Sequence, residues 1–147
     1  MTEAQTKIEA EYDRSKLGKV LGEMWITVSE EVILRYSKAI GETDPKYTKP
    51  GPNLIAPPGI VTVLEGPSQR EQVKFPFAKT SMHGGSAVFS NAPIRAGDKL
   101  RVTIKLADVY IKTGRSGAMG FVIHENEFIR EDGTVVARMQ DTYLARP

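Results

Sequence analysis

Two short segments contain residue types that can move protons or stabilise negative charge. The first is GETDPKY at positions 41–47, which follows a helical pattern and brings Glu42, Asp44 and Tyr47 close together. It is either a turn with a solvated face or a reaction site. The second is APPG at positions 56–59, whose two prolines lack N–H groups, so Gly59 and Ile60 carry the first free amides of the helix predicted there. Amides at a helix N-terminus are suited to bind an oxygen that gains negative charge.

The two histidines, His83 and His124, are the only imidazoles in the chain, and there is no cysteine. This composition predicts no disulfide and no metal site, and we expect no cofactor. His83 opens an HGG segment with Gly84 at the start of a predicted strand, which favours a structural or subunit-contact role. His124 lies in the middle of a predicted strand, which favours a surface or packing role.

The composition is that of an ordinary soluble domain. The 147 residues suggest one domain, with 40% apolar and 26% charged residues. A formal charge of +2, with the basic residues scattered, favours neither a nucleic-acid partner nor a membrane surface. No apolar run approaches the ~20 residues needed to span a bilayer, and the first residues lack a signal-peptide segment. We therefore expect a cytoplasmic protein.

The hydrophobic pattern predicts an α+β protein. A short strand at 24–28 precedes a helix that Ser29 caps and Gly41 ends. A buried helix is predicted at 58–65, because GIVTVLE is apolar on most sides. Four longer strands joined by tight turns follow at 83–91, 99–111, 118–130 and 135–144, which indicates one antiparallel sheet wrapped around one central helix. We expect residues 1–22 to form an N-terminal arm and residues 23–147 a single domain.

Four motifs in order, RYSKAIGETDPKY, LIAPPGIV, HGG and PIRAGDKL, resemble the MaoC-like dehydratases and hydratases of the hot-dog fold. The resemblance runs from about Leu17 to the C-terminus. It is strongest to the N-terminal half-domain type, in the branch similar to fungal fatty-acid-synthase dehydratases. That family dehydrates 3-hydroxyacyl thioesters, or hydrates enoyl thioesters, on coenzyme A or acyl carrier protein. The resemblance implies the same fold and substrate class here.

The hydratase motif of that family is Gly-Asp-x-Asn-Pro-x-His, in which Asp and His are the acid/base pair. Here Glu42 stands at the Asp position and Tyr47 at the His position, while Asp44 before a proline is typical of a turn or cap residue. The resemblance also implies that Gly59, with Ile60, binds the substrate oxygen or the catalytic water. It places His83 and Gly84 near the substrate tunnel.

In the relatives that this chain resembles, two unequal hot-dog halves pair, and often only one carries the Asp/His pair. We therefore expect a subunit of an enoyl-CoA hydratase or 3-hydroxyacyl-thioester dehydratase, in a homo- or hetero-oligomer with another hot-dog chain. One alternative is a self-sufficient homodimeric hydratase that uses Glu42 with Asp44 or Tyr47. Others are a hot-dog thioesterase and a non-catalytic acyl-thioester binding module. A thioesterase needs a carboxylate near the central helix, and Glu65, at the far end of that predicted helix, argues against it.

Overall fold

The computed structural model describes residues 8–147, which contain five β-strands, two α-helices and two 3-10 helices. The strands are β1 Val20–Thr27, β2 Thr80–Ser90, β3 Lys99–Gly114, β4 Gly117–Arg130 and β5 Val135–Arg146. The helices are a 3-10 helix Arg14–Lys16, α1 Glu30–Ala39, α2 Pro45–Thr48 and a 3-10 helix Pro58–Thr62, here called the central helix. The predicted order of a strand, a helix, a buried helical segment and four strands is confirmed. Residues 1–7 of the predicted arm lie outside the described residues.

All five strands form one antiparallel sheet in the order β1-β3-β4-β5-β2. Strands β3, β4 and β5 follow one another as hairpins, and the second hairpin turns at Gly133, whose φ of 88° favours glycine. Strand β2 pairs with β5, so β1 and β2 form the two edges. The predicted antiparallel sheet is confirmed.

The apolar alternation of β3 changes phase after Leu106, and the structure shows a β-bulge between Leu106 and Asp108. Leu106 pairs with His124 before the bulge, and Val109 pairs with Val122 after it. The extra residue offsets the period of two, so apolar side chains stay on the inner face, the one that packs against the helices and the loop after them.

The core lies between this inner face and the helices. Ile33 of α1 and Ile60 and Val61 of the central helix are all 0% exposed, and they form one cluster with Val102 and Phe128 of the sheet. The predicted burial of the segment after the two prolines is therefore confirmed.

The central helix is shorter than predicted and of a different type. It is a 3-10 helix that ends at Thr62, where an α-helix was expected to reach residue 65. The Val63 N–H donates to Ile60 O at 2.9 Å and closes the last turn. Four β-branched residues, Ile60 to Val63, follow Gly59, and glycine and β-branched residues both have low helix propensity. The helix therefore covers only part of the inner face.

Residues 66–79, here called the covering loop, extend over the rest of the inner face. Phe75 is 6% exposed and packs in a second cluster with Leu106, Val122 and Ala145. Lys74 exchanges two backbone hydrogen bonds with Glu11, at 2.8 and 2.9 Å. Some residues assigned to the N-terminal arm thus lie against the domain, and the division at residue 22 stays a prediction.

Gly120 of β4 is the point where Phe75 meets the sheet, and it offers a test of the covering loop. A Cβ at position 120 would lie 2.5, 2.6 and 2.7 Å from three Phe75 ring atoms. We expect Gly120→Ala to lower the free energy of unfolding by about 1–3 kcal/mol, as overpacked sites do. Urea denaturation followed by circular dichroism measures the change.

The matched control is Gly114→Ala at the end of β3, where a Cβ would meet nothing within 4 Å. Its stability should change by no more than about 0.5 kcal/mol. Equal stabilities of the two variants would contradict the contact between Phe75 and the sheet.

Candidate functional site

The segment 41–47 contains the connection between α1 and α2 and the first three residues of α2, and its own carboxylates hold it in place. Gly41 has a φ of 73° and ends α1. Oε1 of Glu42 accepts the N–H groups of Thr43 and Asp44 at 3.1 and 3.2 Å. Oδ1 of Asp44 accepts the Lys46 N–H at 3.1 Å and caps α2, so its predicted cap role is confirmed. Both carboxylates therefore act on their own backbone.

Tyr47 lines a cavity of about 240 Å³ at the end of this segment. Its other lining residues come from the start of the central helix, from the end of β2 with the residues after it, and from β5: Ile55, Ala56, Pro58, Ser90, Asn91, Ala92, Pro93, Ile94 and Ala137. Lys46 Nζ lies 4.9 Å from the centre of the Tyr47 ring. Tyr47 and the Asp44 carboxylate both raise the pKa of Lys46. We call this space the Tyr47 cavity.

The start of the central helix offers one free amide. The Ile60 N–H donates to Pro57 O at 3.0 Å, so that amide is already used. The Gly59 N–H has no acceptor within residues 8–147. The hydroxyl of Tyr36 on α1 occupies the place where a Cβ at position 59 would stand, so a larger residue there would require the Tyr36 side chain to move. The sequence did not identify Tyr36 as a neighbour of Gly59, because the spacing of Tyr36 in the sequence indicates only that it lies on the core-facing side of a helix.

His83 and Gly84 lie on the edge strand β2, away from the Ser90 end that borders the Tyr47 cavity. His83 Nε2 is 3.3 Å from Asp141 Oδ1 and 3.3 Å from Ser86 Oγ, and Ser86 donates to the same carboxylate oxygen at 2.5 Å. A nucleophile triad needs its serine and its acid on opposite imidazole nitrogens. Because both lie on Nε2 here, the arrangement is a hydrogen-bonded cluster and not a triad.

A second cavity, of about 270 Å³, lies between the covering loop and the sheet. We call it the His124 cavity. It is lined by Arg70, Glu71, Val73, Phe75, Ser81, Val122, His124, Tyr143, Leu144 and Ala145. His124 is 4% exposed, and its Nε2 accepts the Glu71 N–H at 3.2 Å. The packing role predicted for His124 is confirmed, but the sequence did not reveal that its ring holds the covering loop.

Burial, and to a smaller extent the positive charge of Arg70, lower the pKa of His124. The ring is therefore neutral near pH 7. Since Nε2 accepts a hydrogen bond, Nδ1 carries the proton.

Within the described part of the chain, no helix is both long and apolar enough to cross a membrane. Nor do residues 8–147 bring three or more His, Asp or Glu side chains into a group that could hold a metal ion.

A family model described as "FAS1-like, dehydratase domain region" matches residues 15–139. The chain belongs to this family. Membership of the MaoC-like dehydratases and hydratases, as predicted from the four motifs, is confirmed, whereas the fungal branch stays a prediction. A UPF0336 protein from Saccharopolyspora erythraea is 25% identical over 131 residues, which cover 81% of this chain and 81% of that protein.

Solved structures confirm the hot-dog fold. The ChsH1-ChsH2 complex from Mycobacterium tuberculosis is similar with a TM-score of 0.65 at 17% identity, covering 86% of this chain and 84% of that one. The HadBC complex, a 3R-hydroxyacyl-ACP dehydratase from the same organism, is similar with a TM-score of 0.61 at 18% identity. The match covers 82% of this chain and 90% of that one. A MaoC-like dehydratase from Phytophthora capsici is similar with a TM-score of 0.65 at 20% identity. The match covers 89% of this chain and 48% of that one. At these identities the likeness concerns the fold.

Because the pKa of His124 is lowered in the folded protein, the free energy of unfolding should fall as the solution becomes more acidic. The unfolded imidazole titrates near 6.5 and the folded one lower, so acid adds a proton to the unfolded chain first. The contribution of the neutral His124 ring to stability is therefore fully present above pH 6.5 and is lost progressively below it. When the pH is lowered from about 7.5 to about 5.5, protonation of this imidazole should lower the free energy of unfolding by no more than about 1.4 kcal/mol.

His124→Gln removes this titration and keeps an acceptor for the Glu71 N–H. Urea denaturation at the two pH values should show a larger loss for the unaltered chain than for the variant. Equal losses would mean that His124 does not resist protonation in the folded protein.

Proposed function

We propose that this chain is a subunit of a MaoC-like enoyl-CoA hydratase or 3-hydroxyacyl-thioester dehydratase, in which a second hot-dog chain supplies the Asp/His pair. One observation carries the proposal: Tyr47 and Pro58 of the central helix border one cavity, and the N–H of Gly59, the residue after Pro58, has no acceptor within residues 8–147. The proposed substrate is an acyl thioester of coenzyme A or of acyl carrier protein. The fungal fatty-acid-synthase branch is part of the proposal.

The reaction sets the requirements for the site. Hydration adds the oxygen of water to the β-carbon of the enoyl thioester and a proton to the α-carbon, and dehydration reverses both steps. Negative charge develops on the thioester oxygen meanwhile, so the site needs an acid, a base and a donor to that oxygen. We infer that the Gly59 N–H is this donor.

The acid/base positions of the chain suit this reaction poorly. A phenol ordinarily titrates near 10 and an imidazole near 6.5, so a tyrosine exchanges protons less readily at neutral pH. Glu42 binds two amides of its own loop with one oxygen, and moving it toward a substrate would leave those amides without their acceptor. We therefore assign the acid/base pair to a partner.

The surface of β2 supports a partner at that edge. Ten of the eleven residues of β2 are exposed, and Met82 and Phe89 are 42% and 41% exposed. Tyr143 on the neighbouring β5 adds a further exposed apolar group. A long exposed edge strand pairs readily with another chain. Two of the solved structures with this fold are described as complexes, ChsH1-ChsH2 and HadBC.

The activity test restores the family pair in this chain. We expect the purified chain to hydrate crotonyl-CoA slowly. Glu42→Asp combined with Tyr47→His should raise the rate by about 100-fold or more, because a well-placed proton-transfer group accelerates a reaction by at least that factor. Loss of absorbance of the enoyl thioester measures the rate.

The matched control is Glu65→Gln, which changes an exposed carboxylate beyond the central helix and should leave the rate unaltered. Fast turnover by the unaltered chain that Glu42→Ala abolishes would instead identify a self-sufficient hydratase. Release of free coenzyme A that depends on Glu65 would identify a thioesterase.

The assembly test uses the two edges of the sheet. We expect light scattering to give a multiple of the 16.2 kDa chain mass, and Met82→Lys on β2 to shift the protein toward the single chain. Trp25→Lys places the same charge on the opposite edge, where Trp25 is 47% exposed, and should leave the mass unchanged. A mass near 16.2 kDa for the unaltered chain would contradict pairing of the isolated protein.

A further inference from the structure

The His124 cavity contains a hydrogen-bond donor that nothing in the described chain satisfies. Nε2 of His124 is occupied by the Glu71 N–H, while Nδ1 is buried and has no partner within residues 8–147. Leaving a buried donor without an acceptor destabilises the folded protein, because the donor has lost its hydrogen bond to water. Buried polar groups are nearly always paired, so this exception calls for an acceptor that the chain does not supply.

The nearest carboxylate by register is engaged elsewhere. Asp141 of β5 is the cross-strand partner of His124. Its Oδ1 atom accepts from Ser86 and contacts His83, both on β2. Asp141 is therefore held toward the edge strand and does not provide the missing acceptor.

The rest of the lining indicates the chemistry of a ligand. Five of the lining residues are apolar: Val73, Phe75, Val122, Leu144 and Ala145. The charged groups at the cavity already have partners, since Arg70 donates to the carbonyls of Pro67 and Gln69 and Glu71 pairs with Lys16 at 3.0 Å. Because the unsatisfied donor is a neutral imidazole N–H in a lining that is half apolar, the cavity suits an apolar chain that carries an oxygen acceptor.

The size is consistent with part of a ligand. A volume of about 270 Å³ lies just below the usual range for whole small-molecule pockets. The cavity is therefore suited to a segment of a chain and not to a complete coenzyme A thioester.

We propose that the His124 cavity binds the hydrocarbon chain of an acyl thioester that carries a carbonyl or hydroxyl oxygen along its length, and that His124 selects this oxygen by donating from Nδ1. The inference rests on the proposed function for the acyl-thioester class. It adds a preference for an oxygenated chain, and it assigns His124 as the residue that determines the preference.

The test compares matched probes on the full chain by isothermal titration calorimetry. The probes are decanoyl-pantetheine and a series of its keto derivatives, in which a single carbonyl moves along the acyl chain. At least one keto derivative should bind about 10-fold more tightly than decanoyl-pantetheine, the size expected when a buried donor gains its acceptor. The ¹⁵N resonance of the protonated ring nitrogen should shift with that derivative and not with decanoyl-pantetheine.

Two variants separate the donor from the fold. His124→Gln places its amide near Nε2, which keeps an acceptor for the Glu71 N–H but removes the donor at Nδ1, so the preference should disappear. His124→Asn places its amide near Nδ1, so the preference should remain while the covering loop is held less firmly. Thermal unfolding and hydrogen exchange of the Glu71 amide report whether each variant keeps the loop in place.

The outcomes distinguish this inference from the function on which it rests. Equal binding of decanoyl-pantetheine and every keto derivative means that Nδ1 is paired with a buried water only, which overturns the inference and leaves acyl-thioester binding intact. Absence of binding by all probes overturns both. A keto preference that depends on His124, in a protein without hydratase activity alone or with a partner, supports the inference and contradicts the proposed function.

Discussion

The structure depends on how the inner face of one long antiparallel sheet is kept from water. Strands β3, β4 and β5 have 16, 14 and 12 residues, or about 40–55 Å at the usual rise per residue. The central helix has five residues in 3-10 geometry, or about 10 Å. Such a helix shields only a fraction of the face, so α1 and the covering loop complete the cover. The two cavities lie where these pieces meet the sheet.

An irregular loop covers a sheet well only where specific contacts fix it. Phe75 packs against Gly120, where a side chain would collide with the ring, and Glu71 is tied to the sheet through its N–H bond to His124. Its carboxylate also pairs with Lys16, and hydrogen bonds from Lys16 and from the Asp13 N–H, with the charge of Lys16, keep the Glu71 pKa below its usual value. The N-terminal segment, the covering loop and the sheet are therefore connected, although each contact is small.

The candidate site needs one group from the backbone, the donor to the substrate oxygen, and two groups from side chains, the acid and the base. The free amide at Gly59 follows from the two prolines before it, and the Tyr36 hydroxyl occupies the place that a Cβ at position 59 would take. An acid/base pair instead needs two particular side chains with suitable pKa values and orientation. Here Glu42 and Asp44 serve the local backbone. In the function proposed above, such a chain keeps the shape and the oxyanion donor of a hydratase, and a partner supplies the acid/base pair.

The sequence alone determined the class of the fold, because local rules governed it. Alternation predicted the long strands, the tight turns between them predicted the hairpins, and Ser29 predicted the start of α1. The motifs also identified the family. The sequence overestimated the length of that helix, since apolarity predicts burial but does not distinguish an α-helix from a 3-10 turn.

Tertiary structure decided the contacts between residues far apart in the chain. His124 and Glu71 are separated by 53 positions, and His83 and Asp141 by 58, so no local pattern links them. Whether His124 faces the interior depended on the register of β4 and on the path of the covering loop above it. The sequence therefore determined which elements form, whereas three-dimensional packing decided which polar groups became buried, which found partners and where the cavities remained.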